Sequence, residues 1–195
     1  MFIQTEITPN PATLKFLPGR VILTEGVLEF RDSEKAAINS PLAAKLFKIP
    51  NVSGVFLGYD FITVTKNDGE WQHLKPAILG TIMEHFLSDD PVVTTSANTQ
   101  MRTHTLNEEF YDEKDADIVA TIKDLLETRV RPAVANDGGD ITFCGFENGT
   151  VYLNMRGSCA GCPSSTATLK HGIENLLRHF IPEVLSVEAM PQQIK

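Results

Sequence analysis

Asn148-Gly149 joins two short runs, Ile141 to Phe146 and Val151 to Arg156, and constrains this chain more than any other dipeptide in it. An Asn-Gly pair between such runs supplies the two positive-φ residues that a two-residue β-hairpin turn demands. Ile141 and Phe143 fall on one face of the first strand. Val151, Leu153 and Met155 share one face of the second, with Tyr152, Asn154 and Arg156 on the other. The two strands must therefore run antiparallel and bury a single face. Gly157-Ser158 breaks the second strand, and Cys159-Ala160-Gly161-Cys162-Pro163-Ser164-Ser165 follows at once.

The residues after the second cysteine start a helix. Pro163 suits the first helical position, where a missing N–H costs nothing. Ser164, Ser165 and Thr166 place hydroxyls in the first turn. Leu169, Ile173, Leu176, Leu177 and Phe180 then recur at helical spacing up to Pro182. Two thiols separated by two residues can turn to one side, to grip one metal atom or close one disulfide. In an exposed turn at a helix head, free N–H groups and the positive end of the dipole favour thiolate over thiol at both. Cys144 differs, because it lies inside a hairpin strand and reads as a small core residue.

Redox and metal chemistry separate on context. A thioredoxin-like CxxC follows a strand and opens a helix within a βαβ unit. Here the preceding strand is half of an antiparallel hairpin, and no second βαβ unit follows. Structural zinc and iron–sulfur clusters take four protein ligands as a rule, and one chain offers two, Cys159 and Cys162. His171 lies over two helical turns beyond Cys162, about 13 Å by the helical rise, and reads as a surface residue. A second copy of the motif from a symmetric dimer would complete four sulfurs around one centre. A thiol–disulfide oxidoreductase and a zinc-bridged structural dimer are the alternatives.

The expected fold class is α+β, in two small mixed domains joined by a flexible acidic linker: residues 1–87, the linker 88–114, and 115–195. In the first domain, Phe2 to Ile7 and Leu14 to Leu17 read as strands. Val21–Leu23 and Val27–Phe30 flank a turn at Glu25-Gly26, and residues 33–48 are helical in composition, with Pro41 suited to a helix's first turn. Val52–Leu57 and Phe61–Val64 form a hairpin, and 72–87 a helix carrying Leu74, Ile78, Ile82 and Phe86. Trp71, His73 and His85 lie in or near that helix, and no second metal ligand stands at the required spacing. The second domain opens with a helical stripe of Ile118, Ile122, Leu125, Leu126 and Val130, which Pro132 should end or kink. Asn136 to Asp140 reads as a turn and Val184–Val187 as a last strand, giving the order α-β-β-α-β.

Charge sharpens the division. Residues 88–117 hold 2 Lys/Arg against 8 Asp/Glu, so −6 of the net −8 lies there. The Thr/Ser/Asn-rich run 94–105, which includes His104, leaves little to bury and reads as a tether. No basic face can neutralise many phosphates, which argues against nucleic-acid binding. No stretch approaches the roughly 20 apolar residues that span a bilayer. The N-terminus has neither a secretory nor a transit-peptide pattern, so the expected location is cytoplasmic, or an organelle matrix for a chain whose leader has been removed.

The residues also resemble a family. Gly138-Gly139-Asp140-Ile141, then Gly157 through Ser165, and Thr168-Leu169-Lys170 through Gly172-Ile173-Glu174 resemble the Nfu-type iron–sulfur cluster carriers and the C-terminal domain of NifU, over about residues 115–190. Thr8-Pro9-Asn10-Pro11 and Leu14-Lys15-Phe16 with Pro18-Gly19 resemble the Nfu N-terminal domain. The resemblance implies a carrier rather than an enzyme. It implies a labile cluster, 4Fe–4S with 2Fe–2S as the alternative, bridging two chains through Cys159 and Cys162 of each. It also implies a homodimer when loaded, an upstream cluster scaffold protein as donor and recipient apo iron–sulfur proteins as acceptors. The Gly-Gly-Asp turn reads as structural.

Overall fold

The computed structural model describes residues 2–94 and 109–190. The chain divides into two units, Met1–Thr105 and Leu106–Lys195, and both are mixed α/β. Most of the expected tether, His104 included, lies outside the described residues.

In the first unit, β1 (Gln4–Ile7), β2 (Thr13–Leu17), β3 (Leu28–Phe30), β4 (Val52–Leu57) and β5 (Ile62–Lys66) form one antiparallel sheet in the order β1-β2-β5-β4-β3. Phe16, Leu57, Ile62 and Val64 from the sheet share a core with Leu42, Leu46, Ile78 and Ile82 from the helices. Ahead of the turn at Gly26, Ile22 and Leu23 both donate their N–H to the Tyr59 carbonyl and turn their side chains into the core. The helical composition of residues 33–48 resolves into two helices, α1 (Ser33–Asn39) and α2 (Pro41–Phe47), and Pro41 stands in the first turn of the second, as expected. A residue before proline is pushed out of the helical region, and Ser40 is extended at φ −147°. Ser40 ends α1 through its N–H to the Ala36 carbonyl and starts α2 by accepting from Ala43 N–H.

The helix α3 (Trp71–Leu87) closes this unit. The expected linker begins too early at residue 88. Lys45 pairs with Asp90 at 2.8 Å, Ser40 Oγ donates to the Val92 carbonyl at 2.6 Å, and Thr94 N–H donates to the Asn39 carbonyl at 2.9 Å. Val92 and Val93 pack against the core, so residues 88–94 belong to the first unit. His73 and His171 are exposed, and Trp71 Nε1 donates to the Pro11 carbonyl at 3.0 Å.

His85 is fully buried, and neither ring nitrogen has a partner among the described residues. Burial, and then the Lys45 charge, hold its pKa below the ordinary histidine value. The folded unit thus carries a neutral imidazole that the unfolded chain protonates below about pH 6.5. This contribution to stability is intact above that pH and is lost as the pH falls toward the folded-state pKa. We expect stability to fall from about pH 6.5 to 5 with a slope of at most about 1.4 kcal/mol per unit from this group. Urea midpoints should show that slope in the wild type and a flatter profile in His85→Leu; identical profiles would refute it.

The second unit begins with α4 (Ala116–Leu125), a π turn (Leu126–Val130) and α5 (Arg131–Asn136). Pro132 therefore does not end the helix. It sits in the first turn of α5, directly after the wide turn, where its ring and missing N–H are accommodated. Next come β6 (Gly139–Glu147) and β7 (Thr150–Gly157), paired antiparallel through Asn148 (φ 50°) and Gly149 (φ 79°), as the dipeptide requires. The expected 136–140 turn is shorter than read, because Gly139 and Asp140 already belong to β6. A bulge between Phe143 and Gly145 takes Cys144 out of register and leaves it half-buried, not in the core.

After α6 (Pro163–Phe180), β8 (Ser186–Ala189) returns parallel to β7, two residues later than expected, in a sheet of order β6-β7-β8. Ile141, Leu153 and Val187 share their core with Ile122, Val130, Ile173 and Leu177. Phe180 is not part of it; it is 47% exposed, beneath the Arg129 guanidinium. Phe110 N–H donates to the Cys144 carbonyl and Phe110 accepts from Phe146 N–H. Glu174 Oε2 on α6 accepts the Val187 N–H at 3.2 Å. No helix among the described residues is long and apolar enough to cross a membrane.

Candidate metal centre

The register of the hairpin builds the site. Pairing of Gly139 with Gly157 and Asp140 with Arg156 brings the start of β6 against the end of β7, where the chain turns into the cysteine motif. Gly157 (φ 69°) leaves the strand, Ser158 N–H donates to the Gly138 carbonyl at 3.2 Å, and Ser158 Oγ donates to the Asp137 carbonyl. Ser158 is 1% exposed. Ala160 N–H closes a tight turn on the Gly157 carbonyl at 3.1 Å. Cys162 is extended (φ −108°) immediately before Pro163 opens α6, and its carbonyl accepts the Thr166 N–H at 3.0 Å.

Beneath this turn lies an ion pair. Arg131 Nε and Nη2 donate to the two carboxylate oxygens of Asp140 at 2.9 and 3.3 Å, and Nη1 donates to Glu127 at 2.7 Å. Burial works against the Arg131 charge, but the bonds to Asp140 and Glu127 more than offset it and raise its pKa. Asp140 is 5% exposed. The clamp fixes the start of α5 to the first residues of β6.

The two thiols, expected to be equivalent, are not. Cys162 is half-exposed, with Sγ 3.3 Å from Ser164 Oγ. The Ser164 and Ser165 hydroxyls, followed by the Ser165 N–H, lower its pKa to about 7. The helix-head argument holds for this residue. Cys159 is instead buried in the core of the unit, and burial raises its pKa to about 11 against a weak contact from Ser158. A Cβ built on Gly139 would stand 2.8 Å from Cys159 Sγ and 2.7 Å from the Arg156 carbonyl oxygen, so only glycine leaves room for the thiol there. Sequence reasoning treated Gly138-Gly139-Asp140 as a plain turn and missed this packing. The paired glycines opposite a CxxC were the available signal. All three cysteines are free, and the described residues contain no group of three or more His, Cys, Asp or Glu side chains placed to hold a metal ion.

A pair of thiols ahead of a helix, on the far side of an antiparallel hairpin, defines a two-unit protein with its thiol chemistry in the second unit. The family models agree with that division: residues 3–89 match the scaffold protein Nfu/NifU N-terminal model and residues 122–188 the NifU-like domain. The chain is 50% identical over 190 residues to the mitochondrial NFU1 iron-sulfur cluster scaffold homolog of Homo sapiens, covering 96% of this chain and 71% of that protein. It is 48% identical over 191 residues to the mitochondrial NifU-like protein 5 of Arabidopsis thaliana, covering 96% and 67%. A solution structure of a NifU-like protein from Saccharomyces cerevisiae is 27% identical, with a TM-score of 0.43 over 48% of this chain and 85% of that one. The chain belongs to the Nfu family.

Proposed function

We propose that this chain is an iron–sulfur cluster carrier and not an enzyme, with the cluster as cargo held by Cys159 and Cys162. The observation that carries the reading is the thiol pair itself, at the head of α6 in a NifU-like domain, where each chain brings two cysteines to the turn. Thiolates are the donors that iron–sulfur clusters take, and Cys162 is acidic enough to be substantially thiolate near neutral pH. Four ligands then require two chains, so the loaded form is a homodimer around a 4Fe–4S cluster, with 2Fe–2S as the alternative. Its donor is an upstream scaffold, and its acceptors are apo iron–sulfur proteins. Delivery is ligand exchange: for each iron–sulfur bond to this chain that breaks, one forms to an incoming thiolate, and no electrons need move.

All three cysteines lie in the second unit, so the first unit has no thiolate to offer, and we assign it recipient recognition. Its relatives from Homo sapiens and Arabidopsis thaliana carry mitochondrial names, which favours an organelle matrix over the cytoplasm. The test is iron, zinc and acid-labile sulfide per chain after anaerobic reconstitution. Iron with equimolar sulfide and a brown absorbance near ~400 nm supports the carrier. Stoichiometric zinc without sulfide would replace it with a structural dimer. A metal-free disulfide with a thioredoxin-range potential would replace it with an oxidoreductase.

A further inference from the structure

Cys159 sits where a cluster cannot reach it. Its thiol belongs to the core of the second unit, 6% exposed, against the surface that Gly139 leaves open. A metal–thiolate bond is only about 2.3 Å long. A cluster shared with another chain must therefore come within that distance of a sulfur whose surroundings are its own fold. Cys162, half-exposed at the helix head, needs no such movement.

Glycines at positive φ stand at both ends of the turn around Cys159. Gly157 (φ 69°) and Gly161 (φ 87°) bracket it, and a Cβ at Gly161 would meet nothing within 4 Å. Beyond the ladder pairing of Gly157, four hydrogen bonds among the described residues help to hold it closed. Ser158 donates from N–H to the Gly138 carbonyl and from Oγ to the Asp137 carbonyl, Ala160 N–H donates to the Gly157 carbonyl, and Thr166 Oγ1 donates to the Cys159 carbonyl at 2.9 Å. Local openings of so few bonds lie well below global unfolding in free energy. No bond from the turn fixes the Cys159 thiol itself, apart from a 3.8 Å contact with Ser158 Oγ.

We propose that Cys159 is a gated ligand: the empty chain keeps its thiol in the core against Gly139, and loading starts at Cys162 and finishes when the 157–161 turn releases Cys159. This rests on the carrier reading above. The gate has two consequences. An empty chain does not present a ready dithiol to oxidants, and a half-loaded chain, held through Cys162 alone, is the species from which cargo is most easily taken.

The test uses the full-length apoprotein and iodoacetamide, with each cysteine followed by peptide mass spectrometry and its rate normalised to its rate in concentrated urea. We expect Cys162 to be modified at least about 10-fold faster than Cys159, and the Cys159 rate to level off as reagent is raised, because opening becomes limiting. In Ser158→Ala, which loses one latch, Cys159 labelling should rise several-fold while Cys162 keeps its rate, and iron uptake during reconstitution should quicken. A urea midpoint shows whether that variant is folded; the wild-type rates decide without it. Equal normalised rates for the two cysteines in a wild type that retains iron would remove the gate and leave the carrier. Absence of iron from both proteins would remove the carrier, and the ligand role of Cys159 with it, whatever the labelling shows.

Discussion

Cys159→Ala and Cys162→Ala are each expected to reduce retained iron after anaerobic reconstitution to about a tenth of the wild-type value or less, because on the proposed carrier reading either substitution removes half the protein ligands of a shared centre. The two variants should part company in stability. Cys162 is half-exposed at a helix head, so its loss should move the urea midpoint little. Cys159 is buried among Ile173, Leu177 and the hairpin, so removing its sulfur should cost roughly 1 kcal/mol as a small cavity. Cys144→Ala is the control, since Cys144 lies in the β6 bulge and should leave iron unaffected. Iron and sulfide analysis beside urea titration of all three reads both effects. Full iron in either ligand variant would end the assignment.

The second large effect is structural. Asp140→Ala leaves the Arg131 guanidinium, at the start of α5, without its two-pronged partner on β6. Removing one member of a buried pair costs about 3–5 kcal/mol. Arg131 is 34% exposed and keeps Glu127, so a cost below that range, about 2–3 kcal/mol, is expected here. Asp140→Asn, which can still accept from Nε, should recover part of the loss. Urea unfolding followed by circular dichroism measures it, and a shift under about 1 kcal/mol would show that the clamp contributes little.

What could be read from the sequence was what local chemistry alone decides. Asn148-Gly149 set a turn and a register, Pro163 set a helix start, and the apolar spacing of Leu74, Ile78 and Ile82 set a buried helix face. The misreadings came where a distant residue had the final say. Cys144 has the place of a core residue in its strand, but the bulge against β7 leaves it half-buried. Pro132 carries a helix-breaking signal that one wide turn absorbs. Phe180 has the right spacing for the core and is covered by Arg129 instead. The site divides the same way. The acidity of Cys162 follows from its immediate neighbours Ser164 and Ser165, and so was legible. The burial of Cys159 depends on Gly139, twenty residues away in sequence and opposite in the hairpin, and no local pattern announces it.

The contacts of Phe110 and Glu174 bear on how two such chains can meet. A three-stranded sheet ordinarily offers two rows of unsatisfied backbone groups, and each invites another chain to add a strand. Here Phe110 occupies Cys144 O and Phe146 N–H on one border, and the Glu174 carboxylate takes the Val187 N–H on the other. Strand addition at those positions is already pre-empted from within. On the proposed carrier reading, association then falls to a bond with shared cargo, which can be made and unmade. Borders occupied at these positions would let two such chains separate once that cargo had been handed on.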